Sequence, residues 1–354
     1  MDVMHKRLNI LVSSTRQWNP GDEFIRFGVF NLLEALLGKD HNFLLWNRNP
    51  DLFVNGYANN VMRNNFLSNC CKPKEISLAD LVVFAGTPEW FDNTVHPVFD
   101  FLFDHPTVPA IFLGIGAGMP LDRLRSRDIA VLKRDNVYIS TRSAGLARNL
   151  NDLMGINKAV DLPCPSLFCV QQDFQKRFVT GATKKVGIIL QAARVINQSI
   201  SPEIVKNILA TFPSPTDAPE FICFYIDEFL FYSKAGYACR YSFEPMDYFS
   251  IINDYETIIS TRLHGAIPAL AMNRPAMLLT SENNVRIRST QKLYEKYLPI
   301  TDSLDVALDW VNAFGADNSM EYRNKLALFI EKMFGRYVKE LKNYFDSIAP
   351  ASLG

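Results

Sequence analysis

The feature that most limits what this chain can fold into is a series of short, continuous apolar runs. They are LNILVS (8–13), NFLLW (42–46), LADLVVFAG (78–86), AIFLGIG (110–116), VYIS (137–140), KVGIIL (185–190), EFICFYI (220–226), TIIS (257–260) and AMLLT (276–280). A strand with one wet face alternates apolar and polar residues. Most of these runs do not alternate, so they suit parallel strands covered on both faces. Amphipathic stretches lie between them, among them EFIRFGVFNLLEALLG (23–38), RLRSRDIAVLKR (123–134) and SPEIVKNILATF (201–212). The resulting β–α–β alternation predicts an α/β fold with parallel sheets and right-handed crossovers.

Length then sets the number of sheets. The chain has 354 residues, which at ~150 residues per domain points to two domains. QQDFQKRFVTGATKK (171–185) is polar, carries Gly181 and separates two series of strand candidates. It predicts two Rossmann-like halves, 1–172 and 184–315, with a linker near 170–184. The remainder, 316–354, has helical apolar spacing from 318 to 347, with Gly335 as an expected break.

Composition narrows the function. Lys plus Arg and Asp plus Glu both number 37, so the formal charge is zero. A general nucleic-acid binder carries a basic field, and this chain has none. An anionic ligand would need a local cationic site. The six cysteines include no C-x-x-C pair. They read as reduced thiols in a cytoplasmic protein. No run of ~18 apolar residues occurs, so no integral membrane segment is expected. Peripheral membrane association and oligomeric state are left open. His5, His41, His96 and His105 lack ligand spacing, so no metal site is expected. There is no GxSxG elbow and no Walker sequence.

Several strand-end loops carry residues of chemical interest. NPGDE (19–23) opens the first helix. Asp22 and Glu23 suit a helix start, and Gly21 suits close approach of backbone to a ligand, so capping and binding are both open. FAGTPEW (84–90) places Gly86, Glu89 and Trp90 after a strand. It is either a packed loop or a sugar contact, with carboxylate to hydroxyl and indole face to ring. LGIGAGMP (113–120) contains Gly116 in a GxGxG run that lacks the full dinucleotide pattern. ISTRS (139–143) offers Arg142 and Ser143. Ser143 is an expected helix N-cap, and the two together are an anion grip or a structural ion pair.

The most informative stretch is TIISTRLHGAIPALAMNRPAMLL (257–279). Its strand ends at Ser260, and Arg262, Leu263, His264 and Gly265 form the turn into an apolar helix. A guanidinium, an imidazole and free helix amides at one strand end suit phosphate or carboxylate. His264 could also move a proton near neutral pH. VRIRSTQK (285–292) adds Lys292, read either as solvated or as a further anion contact.

The same residues resemble the polysaccharide pyruvyl transferase family. The match is carried by NPGDE, the strand end at 84–89, LGIGAG (113–118), ISTRS, STRLHGAIPALAMNRPAMLL (260–279) and KLYEKYLPI (292–300). It covers roughly residues 8–300. Where the family often has three glycines, this chain has Ala85-Gly86-Thr87.

The resemblance implies a GT-B-like fold, with two Rossmann-like domains facing a cleft. It implies transfer of pyruvate from phosphoenolpyruvate to a saccharide or lipid-linked saccharide, forming a ketal in cell-surface polysaccharide biosynthesis. No cofactor is implied beyond that donor. Arg262 and His264 would be donor-site residues, with Arg142 beside them.

That chemistry needs an acid, an anion clamp and a hydroxyl-activating carboxylate. Arg262 is expected as the clamp, and His264 as phosphate contact or acid. Asp22, Glu23 or Glu89 is expected as the base. Two other functions fit the same architecture. One is a GT-B glycosyltransferase using a nucleotide sugar, and the other is a non-catalytic saccharide- or anion-binding relative.

Overall fold

The computed structural model describes residues 7–15, 19–47, 73–88, 97–116, 121, 124–143, 145–170, 184–190, 210, 219–280, 284–314 and 316–352. The expected linker core (171–183), most of the helix expected at 201–212, and Glu89, Trp90 and Gly118 lie outside them.

The first sheet contains β1 (Asn9–Ser14), β2 (Asn42–Asn47), β3 (Leu81–Ala85), β4 (Ala110–Ile115), β5 (Val137–Thr141) and β6 (Val160–Asp161). Its order is β2-β1-β3-β4-β5-β6, and every pairing is parallel. The helices among these strands are α1 (Pro20–Leu37), α2 (Pro97–Asp104), α3 (Ser126–Leu132) and α4 (Leu146–Met154).

The second sheet contains β7 (Lys184–Ile189), β8 (Glu220–Ile222), β9 (Cys239–Arg240), β10 (Tyr255–Ser260), β11 (Ala276–Leu279) and β12 (Ile300–Thr301). Its order is β12-β11-β10-β7-β8-β9, again all parallel. Its helices are α5 (Ile226–Lys234), α6 (Asp247–Asn253), α7 (Leu263–Ala271), α8 (Val285–Arg288), α9 (Gln291–Tyr294) and α10 (Leu304–Ala313). A long α11 (Ala316–Ser352) follows. Among the described residues no helix is long and apolar enough to cross a membrane.

Both sheets are doubly wound. The chain moves outward from β1 to β2 and then returns to β3 on the other side of β1. It likewise runs β7, β8, β9 and returns to β10 beside β7. Such reversals are where open α/β sheets bind ligands, at the carboxyl ends of the strands.

The continuous apolar runs work as expected. In β1, Ile10 and Val12 enter one core while Leu11 enters another. The first of these cores is shared. It also takes Val83 and Ile111 from the first sheet, Ile189 and Ile258 from the second, and Tyr337 and Leu341 from α11. The outer faces form separate cores, with Phe112 packed beside Leu11 and with Ile188 beside Ile259.

Two expectations need correction, and three short strands carry no sequence signal. EFICFYI is a strand only to Ile222. Glu228 accepts the backbone N–H of Phe224 at 2.9 Å and of Tyr225 at 3.3 Å, and so starts α5 early. The edge strands β6, β9 and β12 have two residues each, too short to produce a periodic signal. Gly335 does not break α11. Met333 and Tyr337 on either side are buried, and their packing outweighs the roughly 1 kcal/mol helical cost of glycine.

Candidate functional site

Two loops that leave the reversal strands carry the site. The first joins β1 to α1. Asn19 caps α1 from an extended backbone, and its side chain accepts the Gly21 N–H at 2.8 Å. Pro20 sits where a missing N–H is harmless. The second loop joins β10 to α7. Ser260 Oγ donates to the Arg262 carbonyl at 2.8 Å and accepts the Arg262 N–H at 3.0 Å, which fixes the turn. Gly265 is required there, because a Cβ would lie 2.4 Å from Ser260 Oγ. All of α7, Leu263 included, is buried, and His264 is its single titratable side chain.

The loops meet. A Cβ on Gly21 would stand 2.7 Å from His264 Cβ and 3.1 Å from Nδ1. Arg142 arrives from the end of β5, its backbone N–H bonded to Ile115 at 2.8 Å. It is 2% exposed. Its Nη1 hydrogen-bonds His264 Nε2 across 122 residues of sequence. A guanidinium only donates, so Nε2 accepts and the ring proton belongs on Nδ1. The guanidinium lies against Gly116, where a Cβ would be 2.8 Å from Nη2 and 2.9 Å from Nε. Gly116 N–H donates to Thr87 Oγ1 at 2.7 Å. Arg142 Nε has no hydrogen-bond partner among the described residues.

Cys164 completes the cluster, and sequence reasoning overlooked it. Its Sγ lies 3.5 Å from His264 Nε2. The signal in the sequence is Pro163-Cys164-Pro165, a rigid turn after an apolar run. The 3-10 turn Pro165–Phe168 packs under α1 so closely that a Cβ on Gly28 would lie 1.7 Å from the Pro165 oxygen.

Arg262 stands beside this cluster with its charge already balanced. It pairs with Glu228, whose side chain is fully buried, and lies over the Tyr225 ring at 4.8 Å. The Tyr225 hydroxyl is pushed up to about 12, chiefly by burial. The Arg262 charge opposes that shift and the Asp22 carboxylate adds to it. Asp22, on α1 of the first half, therefore lies within electrostatic reach of the second half. It is half-buried, whereas Glu23 is buried and paired with Arg26.

Ser143 is not an N-cap. That place belongs to Gly145, at φ 88°. Asp161, at the end of the neighbouring strand, accepts the N–H groups of Gly145 at 3.0 Å and Ala147 at 3.4 Å. A carboxylate of the protein already occupies the helix end where an anion was expected. Lys292 is exposed on α9, and among the described residues no hydrogen bond or ion pair ties it to Arg142 or His264. Gly86 has φ 87° and abuts Ile25, so it shapes the loop after β3. Among the described residues no three His, Cys, Asp or Glu side chains gather as a metal site.

Comparison with solved structures places this architecture. UDP-GlcNAc 2-epimerase from Neisseria meningitidis, bound to UDP-GlcNAc, is 10% identical with a TM-score of 0.52. The match covers 96% of this chain and 100% of that one. UDP-N-acetylglucosamine 2-epimerase from Rickettsia bellii is 14% identical with a TM-score of 0.51, over 96% of this chain and 98% of that one. A mutant O-GlcNAc transferase from Thermobaculum terrenum is 14% identical with a TM-score of 0.51, over 99% of this chain and 69% of that one. The fold is GT-B-like. No curated protein matches the chain. The model of the polysaccharide pyruvyl transferase family matches residues 19–283, the span that brings Gly21, Arg142, Cys164 and His264 together. The chain belongs to the polysaccharide pyruvyl transferase family.

Proposed function

We propose that this protein transfers pyruvate from phosphoenolpyruvate to a pair of saccharide hydroxyls, forming a ketal and releasing phosphate. One observation carries the reading. A buried arginine of the first half and a histidine of the second are in contact at the strand ends, and the arginine keeps a donor in reserve. Phosphoenolpyruvate carries a phosphate and a carboxylate on a small body, so it needs a compact cationic site.

In this reading Arg142 is the main anion clamp. Arg262, balanced by Glu228, supports it from below. The reaction needs a proton at C3 of the enol, and His264 supplies it from the imidazolium form, in which Nε2 has taken a proton and no longer accepts from Arg142. C2 then carries positive charge, and one sugar hydroxyl adds there as its proton leaves to a base. The second hydroxyl replaces phosphate at C2, and its proton leaves with the departing group. Asp22 is the favoured base, because it is half-buried on the site's side of α1 near Tyr225 while Glu23 is buried. The acceptor is a saccharide or a lipid-linked saccharide, and the expected place of work is the cytoplasm.

The test is incubation with phosphoenolpyruvate and a panel of polysaccharides, followed by 31P NMR for phosphate and an acid-labile pyruvate assay. Arg142→Ala and His264→Asn should each abolish both signals. The GT-B neighbours named for UDP-GlcNAc favour a second reading, a nucleotide-sugar enzyme. Thermal stabilisation by UDP alone, with none from phosphoenolpyruvate, would move the assignment there.

A further inference from the structure

One cavity takes no part in the chemistry above. Its volume is about 310 Å3, at the lower end of small-molecule sites, and it lies where the two halves meet. α1 of the first half supplies Phe27, Phe30, Asn31 and Glu34, and the second half supplies Met246 and Phe249. One turn earlier on α1, the Phe24 ring packs against Phe224, Tyr248 and Phe249 and seals the interface. Two polar groups of the cavity have spare capacity. Asn31 Nδ2 donates to the Phe168 carbonyl at 2.7 Å, which fixes the amide and leaves Oδ1 without a partner among the described residues. The half-buried Glu34 carboxylate has no hydrogen bond or ion pair among the described residues. Met246, 51% exposed, leaves apolar surface open beside them.

The charges select the occupant. Arg26, paired with Glu23, already lies over the Phe27 and Phe30 rings at 5.6 and 5.9 Å, so a second cation on those rings would be repelled. The Glu34 carboxylate repels an anion. A hydrocarbon chain would bury both acceptors with no donor to satisfy them. What fits is a neutral molecule with an apolar ring face and several hydroxyls. Its hydroxyls donate to Glu34 and Asn31, and its C–H face packs on the aromatic rings. A sugar is such a molecule.

Position then says which kind of saccharide. Phe27 and Glu34 follow Gly21 on α1 by six and thirteen residues, about 9 and 20 Å of helix. A sugar unit in the cavity is out of reach of His264, so a saccharide that fills both places is a chain of several units. We infer that the cavity is a subsite for a distant unit of a polymeric acceptor, held by Glu34 and Asn31 while another unit of the same chain receives pyruvate. Two linked contacts give the chain a gain in effective concentration that a short saccharide lacks. The acceptor role rests on the proposed pyruvyl transfer, whereas binding in the cavity does not need turnover.

Binding is measured on the full chain without phosphoenolpyruvate, with the methionine methyls labelled with 13C. Linear hexasaccharides of glucose, galactose and mannose are the probes, and octanol is the hydrocarbon control. Met246 is assigned by the signal lost in Met246→Leu. At least one hexasaccharide should shift that signal, and Glu34→Leu should weaken its binding by about fivefold or more. Should Glu34→Leu fail to fold, Glu34→Ala takes its place. No shift from any of the three hexasaccharides overturns the inference. So does a shift from octanol alone, or a binding constant that the Glu34 variant leaves unaltered.

Turnover is measured with phosphoenolpyruvate and a polysaccharide that gives phosphate release, whole and cut to disaccharides. In wild type, KM counted per repeat unit should be about tenfold lower for the whole chain, and in Glu34→Leu that ratio should fall to about twofold. An unchanged ratio overturns the acceptor role. If wild type turns over no phosphoenolpyruvate, the functional reading fails by itself, and the Met246 signal still decides whether the cavity holds a sugar.

Discussion

Gly21 and His264 come from opposite halves of the molecule, and a methyl group on the first would stand 2.7 Å from the β-carbon of the second. The atoms on both sides are fixed to backbone, so neither can step aside cheaply. Gly21→Ala should push His264 out of line. Overpacking of this kind costs about 1–3 kcal/mol. The expected result is a modest fall in melting temperature with a loss of transfer of at least tenfold, ~1.4 kcal/mol in barrier terms. A variant with full kcat would mean that the ring tolerates displacement.

Two other glycines make opposite predictions. A Cβ on Gly28 would lie 1.7 Å from the Pro165 carbonyl oxygen, while one on Gly335 meets nothing within 4 Å. Gly28→Ala should separate α1 from the turn that carries Cys164, at a cost of about 3 kcal/mol or more. Gly335→Ala should stabilise the exposed middle of α11 by roughly 0.5–1 kcal/mol. Urea unfolding of both variants beside wild type checks the signs, and a loss from Gly335→Ala would contradict the open space around it.

The Arg262–Glu228 pair is the next target. Glu228 has no exposed side-chain surface, and Arg262 has 10%. Glu228→Gln keeps an acceptor at the start of α5 but leaves a buried guanidinium unbalanced. Breaking such a pair costs roughly 3–5 kcal/mol. Arg262→Met/Glu228→Gln should recover part of that loss. Chemical denaturation of the single and double variants reads the difference directly, and a double variant less stable than Glu228→Gln would show the pair is not the source.

Stability should also depend on pH through Lys158. Burial lowers its ammonium group to about 8, the Asp135 charge opposing, and its Nζ donates to the Arg134 carbonyl. The unfolded lysine titrates near ~10.4. Between those values the unfolded chain holds a proton that the folded one has released, so stability rises with pH. This contribution is complete above the unfolded value and is lost as pH falls through about 8. Melting temperatures from pH 7.5 to 9.5 should rise less in Lys158→Met than in wild type. Parallel curves would refute the assignment.

Much of this architecture was legible because burial on two faces leaves a mark in the sequence. Interior strands such as β1, β3, β4, β7, β10 and β11 carry apolar residues at consecutive positions. Edge strands such as Val160–Asp161 exist through pairing alone and leave no such mark. Part of the site was also legible. RLHG stood out because a cationic and an imidazole side chain follow a buried strand and open an apolar helix. Only the family resemblance set Arg142 in one site with His264; the direct bond between them was not legible, because it is a contact between two sheets. Nor was the role of Asp161, which fills the end of α4 from the next strand at a distance of 16 residues from Gly145. Local spacing carries no trace of either relationship.

The long α11 has one further consequence. Tyr322 near its start donates to the Tyr297 carbonyl in the second half. Tyr337 and Tyr344 farther along donate to the carbonyls of Pro163 and Asn136 in the first. The helix is translated after both sheets, yet it supplies part of the core between them. On the ribosome, the first sheet emerges with that face uncovered and waits until α11 has been made. The Pro163-Cys164-Pro165 turn, braced by Tyr337, reaches its final position at the same late moment. Assembly of the cleft is therefore tied to the synthesis of α11, and a nascent chain stopped before Tyr337 carries the residues of the site without the brace that sets them.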